Sequence, residues 1–373
     1  MNVNTNMNRR GFCNLLGLGG VALLARPGHA GSLETHDGPL LLTINALGGW
    51  DVTNFCDPKG TWINDRYDEG EIETAGPFSY APLDDNAAFF ERFKDDMLLI
   101  NGMDMKTAGH SEAARHAWSG VQADNGTPSL AALFAARHAS DLNLAAPFIS
   151  YGGFSRTGDL VPLTRLGNPQ SLSSIALHQH ERGIENQARY VEEFALEEIV
   201  AARQQRASLA APDELPRFQR QRQALADAQL SVPSLAAYRE YLPETPLGVW
   251  RSQVATSLAC LKAGVGISAS VFVSDFDTHS DHEARHGPKL MELLDTIHFA
   301  VDTASNLGLT DRLTIVVTSE FSRTPQYGQN GGKDHWPANS AIVMGPGIPG
   351  GRLIGGTDEG LVPRKLDLST LEF

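Results

Sequence analysis

Residues 318–339, TSEFSRTPQYGQNGGKDHWPAN, place a carboxylate, a guanidinium and an imidazole in one predicted loop. Glu320 and Arg323 come before its glycine-rich stretch. Asp334 and His335 come directly after that stretch. Carboxylate oxygen and imidazole nitrogen are common metal ligands, and a guanidinium binds anions. The spacing therefore predicts a metal and anion site, with a solvated loop of scattered charges as the alternative.

Three further candidate ligands also follow apolar runs. Asp51 comes after Gly48-Gly49-Trp50, and Asp277 and His279 come after the run GISASVFV. Asp277 and His279 are two residues apart, so on an extended backbone both side chains point to the same side. A mixed oxygen and nitrogen donor set suits zinc or manganese. For Asp51 a turn or helix-capping role explains its position equally well.

A candidate nucleophile stands at the start of a predicted helix. Ser111 precedes the helical residues 112–119, which Gly120 ends. Free amides and the positive end of the helix dipole favour an anion or a deprotonated nucleophile there, although capping alone would explain a serine. His110 lies at the same end, whereas His116 is predicted to pack or to lie on the surface.

The elements that must position these residues alternate along the chain. Short apolar runs predict buried strands, and stretches with helical periodicity lie between them. This alternation predicts an α/β fold with a mostly parallel central sheet, whose strands end at one common edge. The predicted strands cover residues 40–47, 97–101, 148–151, 266–273, 313–317 and 341–344; the predicted helices cover residues 112–119, 128–140, 249–263 and 282–305.

Other segments have weaker patterns. Residues 57–90 are rich in Pro, Gly and Asp and predict irregular surface structure, and residues 366–371 predict the start of a closing helix. Residues 173–241 shift to Glu, Arg, Gln and Ala and predict a helical insertion on the sheet. His282 and His286 fall on the first turns of the last long helix. His286 is predicted to be exposed, whereas His282 suits a surface or a functional role equally.

Charge and the first thirty residues indicate where the protein works. The formal net charge of -14 argues against nucleic acid or an anionic membrane as the main partner. Arg9-Arg10 and a short apolar run predict a twin-arginine signal peptide over residues 1–30, read by the twin-arginine translocase. The run is too short to favour a membrane anchor, and no other segment predicts a span. We therefore predict a periplasmic or secreted protein, with residues 31–373 as the α/β domain.

Cysteine usage adds little. Cys13 lies in the predicted signal peptide, so the mature protein would contain only Cys56 and Cys260. The two could form a disulfide in an oxidising compartment or stay as free buried thiols. Because the chain has no C-x-x-C pair, a cysteine zinc site is not predicted.

The ordered motifs GGWD, FDTHSDH, TSEFSRTP and NGGKDHW, behind a twin-arginine leader, resemble a bacterial family of exported proteins in the alkaline phosphatase and sulfatase superfamily. The resemblance covers about residues 40–365. It implies an alkaline phosphatase-like three-layer α/β/α sandwich with bound divalent metal, commonly zinc. It also implies a helix that presents a nucleophile, which HSEAARHAWSG resembles.

The resemblance assigns roles by position. One metal would be held by Asp51, Glu320 and His110, and the other by Asp277, His279 and His335. The attacking group would be Ser111, with Thr107 as a further candidate, or a metal-bound hydroxide, and Arg323 would neutralise the anion. The superfamily's Asp-His pair is Glu320-Phe321 here, so one imidazole is missing unless His110 or His282 replaces it.

The predicted function is an exported, metal-dependent hydrolase of phosphate or sulfate esters. It would use one or two divalent ions, zinc first, with manganese or calcium as alternatives. Its substrate would be a small-molecule or polymer-borne ester. The alternative is a non-catalytic exported binding or assembly protein with a vestigial metal site. A phosphomutase-like transferase is disfavoured by export, which separates the protein from cytoplasmic sugar phosphates.

Overall fold

The structure is a computed structural model that describes residues 36–139, 144–172 and 235–371, except residues 61, 170, 246 and 368. Residue 142 and scattered residues between 195 and 222 are also described. The predicted signal peptide and most of the predicted helical insertion lie outside the described residues, so both stay predictions. None of the helices in the described residues has the length and apolarity that a bilayer span requires.

The structure defines the bounds of twelve β-strands and five α-helices. The strands are β1 (Leu40–Ala46), β2 (Glu73–Ala75), β3 (Phe78–Tyr80), β4 (Met97–Asp104), β5 (Phe148–Ser150), β6 (Leu163–Arg165), β7 (Ser268–Val273), β8 (Leu313–Ser319), β9 (Ser322–Arg323), β10 (His335–Trp336), β11 (Ala338–Met344) and β12 (Arg352–Gly355). The helices are α1 (Asn86–Phe93), α2 (His110–Ser119), α3 (Leu130–His138), α4 (Val249–Lys262) and α5 (His282–Asn306).

Eight strands form one sheet in the order β12-β4-β11-β8-β1-β7-β5-β6. Strand β1 pairs in parallel with both β7 and β8, and β5 pairs in parallel with β6 and β7. Only β11, among the described strands of this sheet, runs antiparallel to its neighbours β4 and β8. The predicted α/β fold with a mostly parallel central sheet is confirmed.

The sheet is covered on both faces. All seven residues of β1 are buried, and neighbouring side chains of a strand point to opposite faces, so packed layers lie on either side. Helix α3 contacts β1 and β7, while α4 and α5 pack on each other and also contact β7. Burying side chains such as Ile44 and Val317 completely stabilises the fold by about 1.5–3 kcal/mol each.

Three expectations need correction. Residues 57–90 are not wholly irregular, because they contain the β2–β3 hairpin and the first part of α1. Helix α1 packs Phe89, Phe90 and Phe93 into the core, and eight residues are too few for a periodic signal. The prediction of a closing helix over residues 366–371 is wrong, because residues 369–371 form a turn. Cys56 and Cys260 are both buried and free, so the disulfide alternative is wrong.

Candidate metal centre

The candidate site lies at the edge where the parallel strands end. Strands β1, β7 and β8 run in one direction, and β4 runs with them because β11 is antiparallel to both β4 and β8. The segments after Ala46, Asp104, Val273 and Ser319 therefore leave from one edge of the sheet. The loop that carries His335 returns to that edge, because β11 begins there.

Three donor atoms form what we call the metal triangle: Asp277 Oδ1, His279 Nε2 and His335 Nε2. The two imidazole nitrogens are 3.0 Å apart, and Asp277 Oδ1 lies 3.0 Å from His279 and 3.1 Å from His335. Ligands of a tetrahedral zinc ion, with bonds of about 2.0–2.2 Å, lie roughly 3.3 Å apart. The spacing of the donor atoms therefore fits one divalent ion.

The tautomer of His335 supports the same interpretation. Its Nδ1 lies 2.8 Å from the carbonyl oxygen of Ala108, which only accepts, so Nδ1 carries the proton. The lone pair of Nε2 therefore points into the metal triangle. A backbone carbonyl behind a histidine ligand fixes ring orientation in this way in known metal sites.

Asp277 is held in its ionised form. Burial raises its pKa, but the hydrogen bond from the Arg323 guanidinium and the positive charge of that group outweigh burial and lower the pKa to about 2. The carboxylate is still 45 % exposed, so the metal triangle is open to solvent on one side. A small ligand can reach it there.

Arg323 lies behind the metal triangle and not in front of it. Its side chain is fully buried, and Nη2 donates to Asp277 Oδ1 at 2.8 Å and to the Gly48 carbonyl. Nε and Nη1 donate to the carbonyls of Gly49 and Lys333. All three guanidinium nitrogens of Arg323 donate to these partners. The contacts therefore favour a role for Arg323 in orienting Asp277. That it neutralises a bound anion stays a prediction.

Glu320 and His110 form a dyad beside the metal triangle. His110 Nδ1 donates to Glu320 Oε1 at 2.9 Å, and the same oxygen accepts from the Gly48 amide at 2.8 Å. The hydrogen bond to Glu320 raises the pKa of His110, more than burial lowers it. His110 Nε2 lies 3.5 Å from Asp277 Oδ2, so His110 could also join Asp277 and His335 as a ligand. The buried Glu320 supports His110 from behind.

Asp51 belongs to a separate buried cluster. Its carboxylate accepts from Lys333 Nζ at 2.7 Å and from the amide and hydroxyl of Thr53, and it caps the turn at Val52–Asn54. Burial raises its pKa, but Lys333 and His282 outweigh burial and lower it. These contacts favour the capping alternative, and metal binding by Asp51 stays a prediction.

His282 and His286 lie in the same buried cluster. His282 Nε2 is 3.1 Å from Asp51 Oδ2, and His286 Nε2 accepts from the Asp51 amide at 2.8 Å. The two rings stack with centroids 4.7 Å apart, and both residues are fully buried. The expectation that His286 is exposed is therefore wrong. Burial holds the pKa of His286 well below its ordinary value, so this imidazole stays neutral.

Replacing Lys333 by methionine should destabilise the protein by about 3–5 kcal/mol, because it leaves the Asp51 carboxylate buried without its cation. Because the folded pKa of Asp51 is lowered, this stabilisation is present above the ordinary carboxyl pKa and is lost as the pH falls through the folded pKa. Denaturant unfolding at neutral pH measures the change. Lys106→Met is the matched control. Because Lys106 is exposed, this variant should lower the free energy of unfolding by less than about 1 kcal/mol. Equal losses in both variants would contradict this role.

Ser111 is the second residue of α2 and is exposed. Gly109 occupies the N-cap position, so the capping alternative for Ser111 is wrong. In the part of the chain that the structure describes, no hydrogen bond involves the Ser111 hydroxyl. Thr107, the other candidate, has a hydroxyl that accepts from the Gly109 amide at 3.2 Å. A nucleophilic role for Ser111 stays a prediction.

Two glycines bring these loops together. A Cβ on Gly48 would lie 2.5 Å from the Asp277 amide, and a Cβ on Gly332 would lie 1.9 Å from the His279 carbonyl oxygen. Both positions therefore exclude any side chain next to the metal triangle.

Sequence reasoning missed two features of this site. Lys333 was overlooked because lysine is usually exposed, although it directly precedes the candidate pair Asp334-His335. The burial of Arg323 was also missed, because its partners are backbone carbonyls of a loop about 270 residues earlier. Neither the burial of Lys333 nor that of Arg323 produces a hydrophobic periodicity in the sequence.

Several solved structures are similar to this chain. One is the alkaline phosphatase from the Antarctic bacterium TAB5 (10% identity, 83% of this chain, 92% of that chain, TM-score 0.35). Others are the phosphonate monoester hydrolase of Agrobacterium radiobacter (14%, 85%, 70%, 0.36) and a lipoteichoic acid synthase from Listeria monocytogenes (7%, 87%, 70%, 0.37). No curated protein matches the sequence. The family described as "protein of unknown function (DUF1501)" matches residues 47–363, and the chain belongs to that family.

Proposed function

We propose that the protein is an exported, metal-dependent hydrolase of phosphate or sulfate esters. The observation that carries the proposal is the metal triangle, in which one carboxylate and two imidazoles lie within 3.1 Å of one another at an open sheet edge. Two nitrogen donors favour zinc or manganese over calcium, which prefers oxygen ligands alone. The predicted twin-arginine signal peptide over residues 1–30 supports the exported location.

We propose one metal ion and not two. Asp277, His279 and His335 would hold it. Asp51 has Lys333 as its partner, and the Glu320 carboxylate accepts from His110 and Gly48. When bound, a divalent ion polarises the ester and lowers the pKa of a water molecule.

The remaining residues are assigned by their contacts. Glu320 fixes the ring of His110, whose Nε2 faces the metal triangle and moves a proton between the attacking water and the leaving oxygen. Arg323 orients Asp277 and keeps it ionised. In this proposal the attacking group is water, which is supported by the lack of a hydrogen bond between the Ser111 hydroxyl and any base among the described residues.

Ser111→Ala is therefore expected to keep activity within about threefold of the wild type, since the variant removes no group that moves a proton. Steady-state rates on the best ester substrate measure this. A control at the same helix end, Glu112→Gln, should behave alike. A loss of 100-fold or more in Ser111→Ala alone would identify Ser111 as the nucleophile and contradict attack by water.

The proposed function is tested with purified mature protein, loaded in turn with zinc, manganese or calcium. The substrates are an aryl phosphate monoester, an aryl phosphate diester and an aryl sulfate. We expect turnover of at least one ester, removed by a chelator and restored by zinc or manganese. No turnover of any ester with any of these ions would overturn the proposal.

A second candidate is a binding or assembly protein on the same scaffold. The observation that favours it is the exposed Ser111, whose hydroxyl has no hydrogen-bond partner among the described residues. Stoichiometric metal without turnover, together with a partner that co-purifies with the wild type and not with His279→Ala, would support this candidate.

A further inference from the structure

A groove of about 450 Å³ opens beside the metal triangle. It adjoins the triangle through Asp334, whose Oδ1 lies 3.6 Å from His279 Nδ1. The size is that of a pocket for a small organic ligand, and it is too large for the ester group alone. Its lining combines three aromatic side chains with three polar ones: Trp62, Tyr327, Trp336, Thr324, Gln326 and Asp334.

Two of the aromatic rings are fixed before any ligand binds. Trp336 follows His335 in β10, and its Nε1 donates to the Leu361 carbonyl at 2.8 Å. The hydroxyl of Tyr327 donates to Glu283, and Lys333 Nζ lies 4.9 Å from its ring centroid. Fixed rings lose little conformational entropy when a ligand packs against them. The lining is therefore preorganised.

Trp62 supplies the exposed wall. Its indole is 52 % exposed, and it forms one wall of the groove together with Tyr327 and Trp336. An exposed aromatic ring beside a cluster of ionisable residues is typical of a binding surface. It gives the groove a free face on which a flat ligand surface can pack.

The charge of the groove excludes some ligands. Among the described residues that line it, Asp334 is the only charged one, and the chain carries a formal charge of -14. Among the described residues, no lysine or arginine lines the groove, so a polyanion would meet repulsion there. The part of the substrate that occupies the groove therefore carries no negative charge, and only the ester group at the metal triangle is anionic.

We propose that this groove binds neutral sugar rings, so that the substrate is a saccharide with a single phosphate or sulfate ester. A sugar ring has apolar C–H faces that pack on aromatic rings and a rim of hydroxyls. Gln326 and Asp334 provide hydrogen-bonding groups for that rim. The proposal rests on the proposed function for the identity of the ester.

The reaction that follows is hydrolysis. The oxygen of water bonds to phosphorus or sulfur, and the bond from that atom to the sugar oxygen breaks. The sugar oxygen takes one proton and leaves as a hydroxyl, and inorganic phosphate or sulfate is released. Phosphate and sulfate esters share this chemistry, and separate substrates distinguish them.

The test measures binding and turnover separately. Calorimetry with the zinc-loaded protein uses cellotriose, maltotriose and N-acetylchitotriose, each unmodified and as its 6-phosphate or 6-sulfate. Glycerol phosphate and glycerol sulfate are the esters without a ring. The variants are Trp62→Ala and Gly328→Leu, which fills the groove at a position where a Cβ meets only Gly332 O at 3.7 Å. Val249→Ala is the control, because Val249 is exposed on α4 and does not line the groove.

We expect at least one unmodified trisaccharide to bind, about tenfold more weakly in Trp62→Ala and unchanged in Val249→Ala. For its ester, KM should rise about tenfold in Trp62→Ala with kcat unchanged, while glycerol esters are unaffected. Trisaccharide binding without turnover of any ester would support the groove and overturn the proposed function. Ester turnover with no trisaccharide binding, or equal binding by wild type, Trp62→Ala and Gly328→Leu, would overturn the sugar assignment alone.

Discussion

His279→Ala and Asp277→Asn are expected to lower ester hydrolysis by about 10³-fold or more. The first variant removes a donor atom from the metal triangle and the second removes its negative charge, and either change should cost several kcal/mol of transition-state stabilisation. His279 is half exposed, so alanine there should leave the fold intact. Asparagine is preferred at Asp277, since its amide oxygen still accepts from the buried Arg323. Circular dichroism and thermal unfolding check the fold, and initial rates with saturating zinc measure the effect.

Asp275→Asn is the matched control for both variants. Asp275 lies two residues from Asp277, and its side chain is 64% exposed, with Lys289 at 3.7 Å. Its backbone φ of 78° is one that asparagine tolerates. We expect wild-type rates from this variant. Wild-type rates from His279→Ala would show that the metal triangle takes no part in the reaction.

His110→Ala is expected to lower kcat by about 10²–10⁴-fold while the protein keeps its metal, because the proposed function gives His110 a role in proton transfer and not in metal binding. Glu320→Gln should cost about 10–100-fold, since it weakens the group that orients His110. Rates and metal content are measured on the same preparations.

His116→Ala is the control on the same helix. Its Nδ1 bonds the Met105 carbonyl at 3.0 Å, away from the Glu320 dyad, and we expect little change in kcat. Loss of metal from His110→Ala would show that His110 is a ligand. An unchanged kcat in His110→Ala would show that His110 does not transfer a proton in the reaction.

The sheet could be predicted because its strands are continuous apolar runs. Burial on both faces of β1 requires such a run, and the observed strand differs from the predicted one by a single residue. The short hairpin of β9 and β10 could not be predicted, because two-residue strands carry no period. It matters for the site, because it pairs His335 with Arg323 and so fixes both.

The convergence of three candidate residues at one sheet edge could be predicted for the same physical reason, whereas their role as metal ligands stays a prediction. Asp277 and His279 alternate on an extended segment, and the structure brings both together with His335. Asp51 also follows a predicted strand, so the sequence made it an equally good candidate ligand. In the structure, however, the Asp51 carboxylate accepts from Lys333, 282 residues away. A strand end places a residue at the edge of the sheet, but the side chain's partner decides whether it faces the solvent or the core. That partner cannot be read from local sequence.

Metal content is the most direct measurement of the central claim. Purified protein, dialysed with zinc and then freed of excess ion, should contain one ion per chain by elemental analysis. Anomalous scattering from crystals should place that ion between Asp277, His279 and His335. The stoichiometry should fall to near zero in His279→Ala and stay at one in Asp51→Asn. An ion retained in His279→Ala and lost in Asp51→Asn, or no ion in the wild type, would contradict the account.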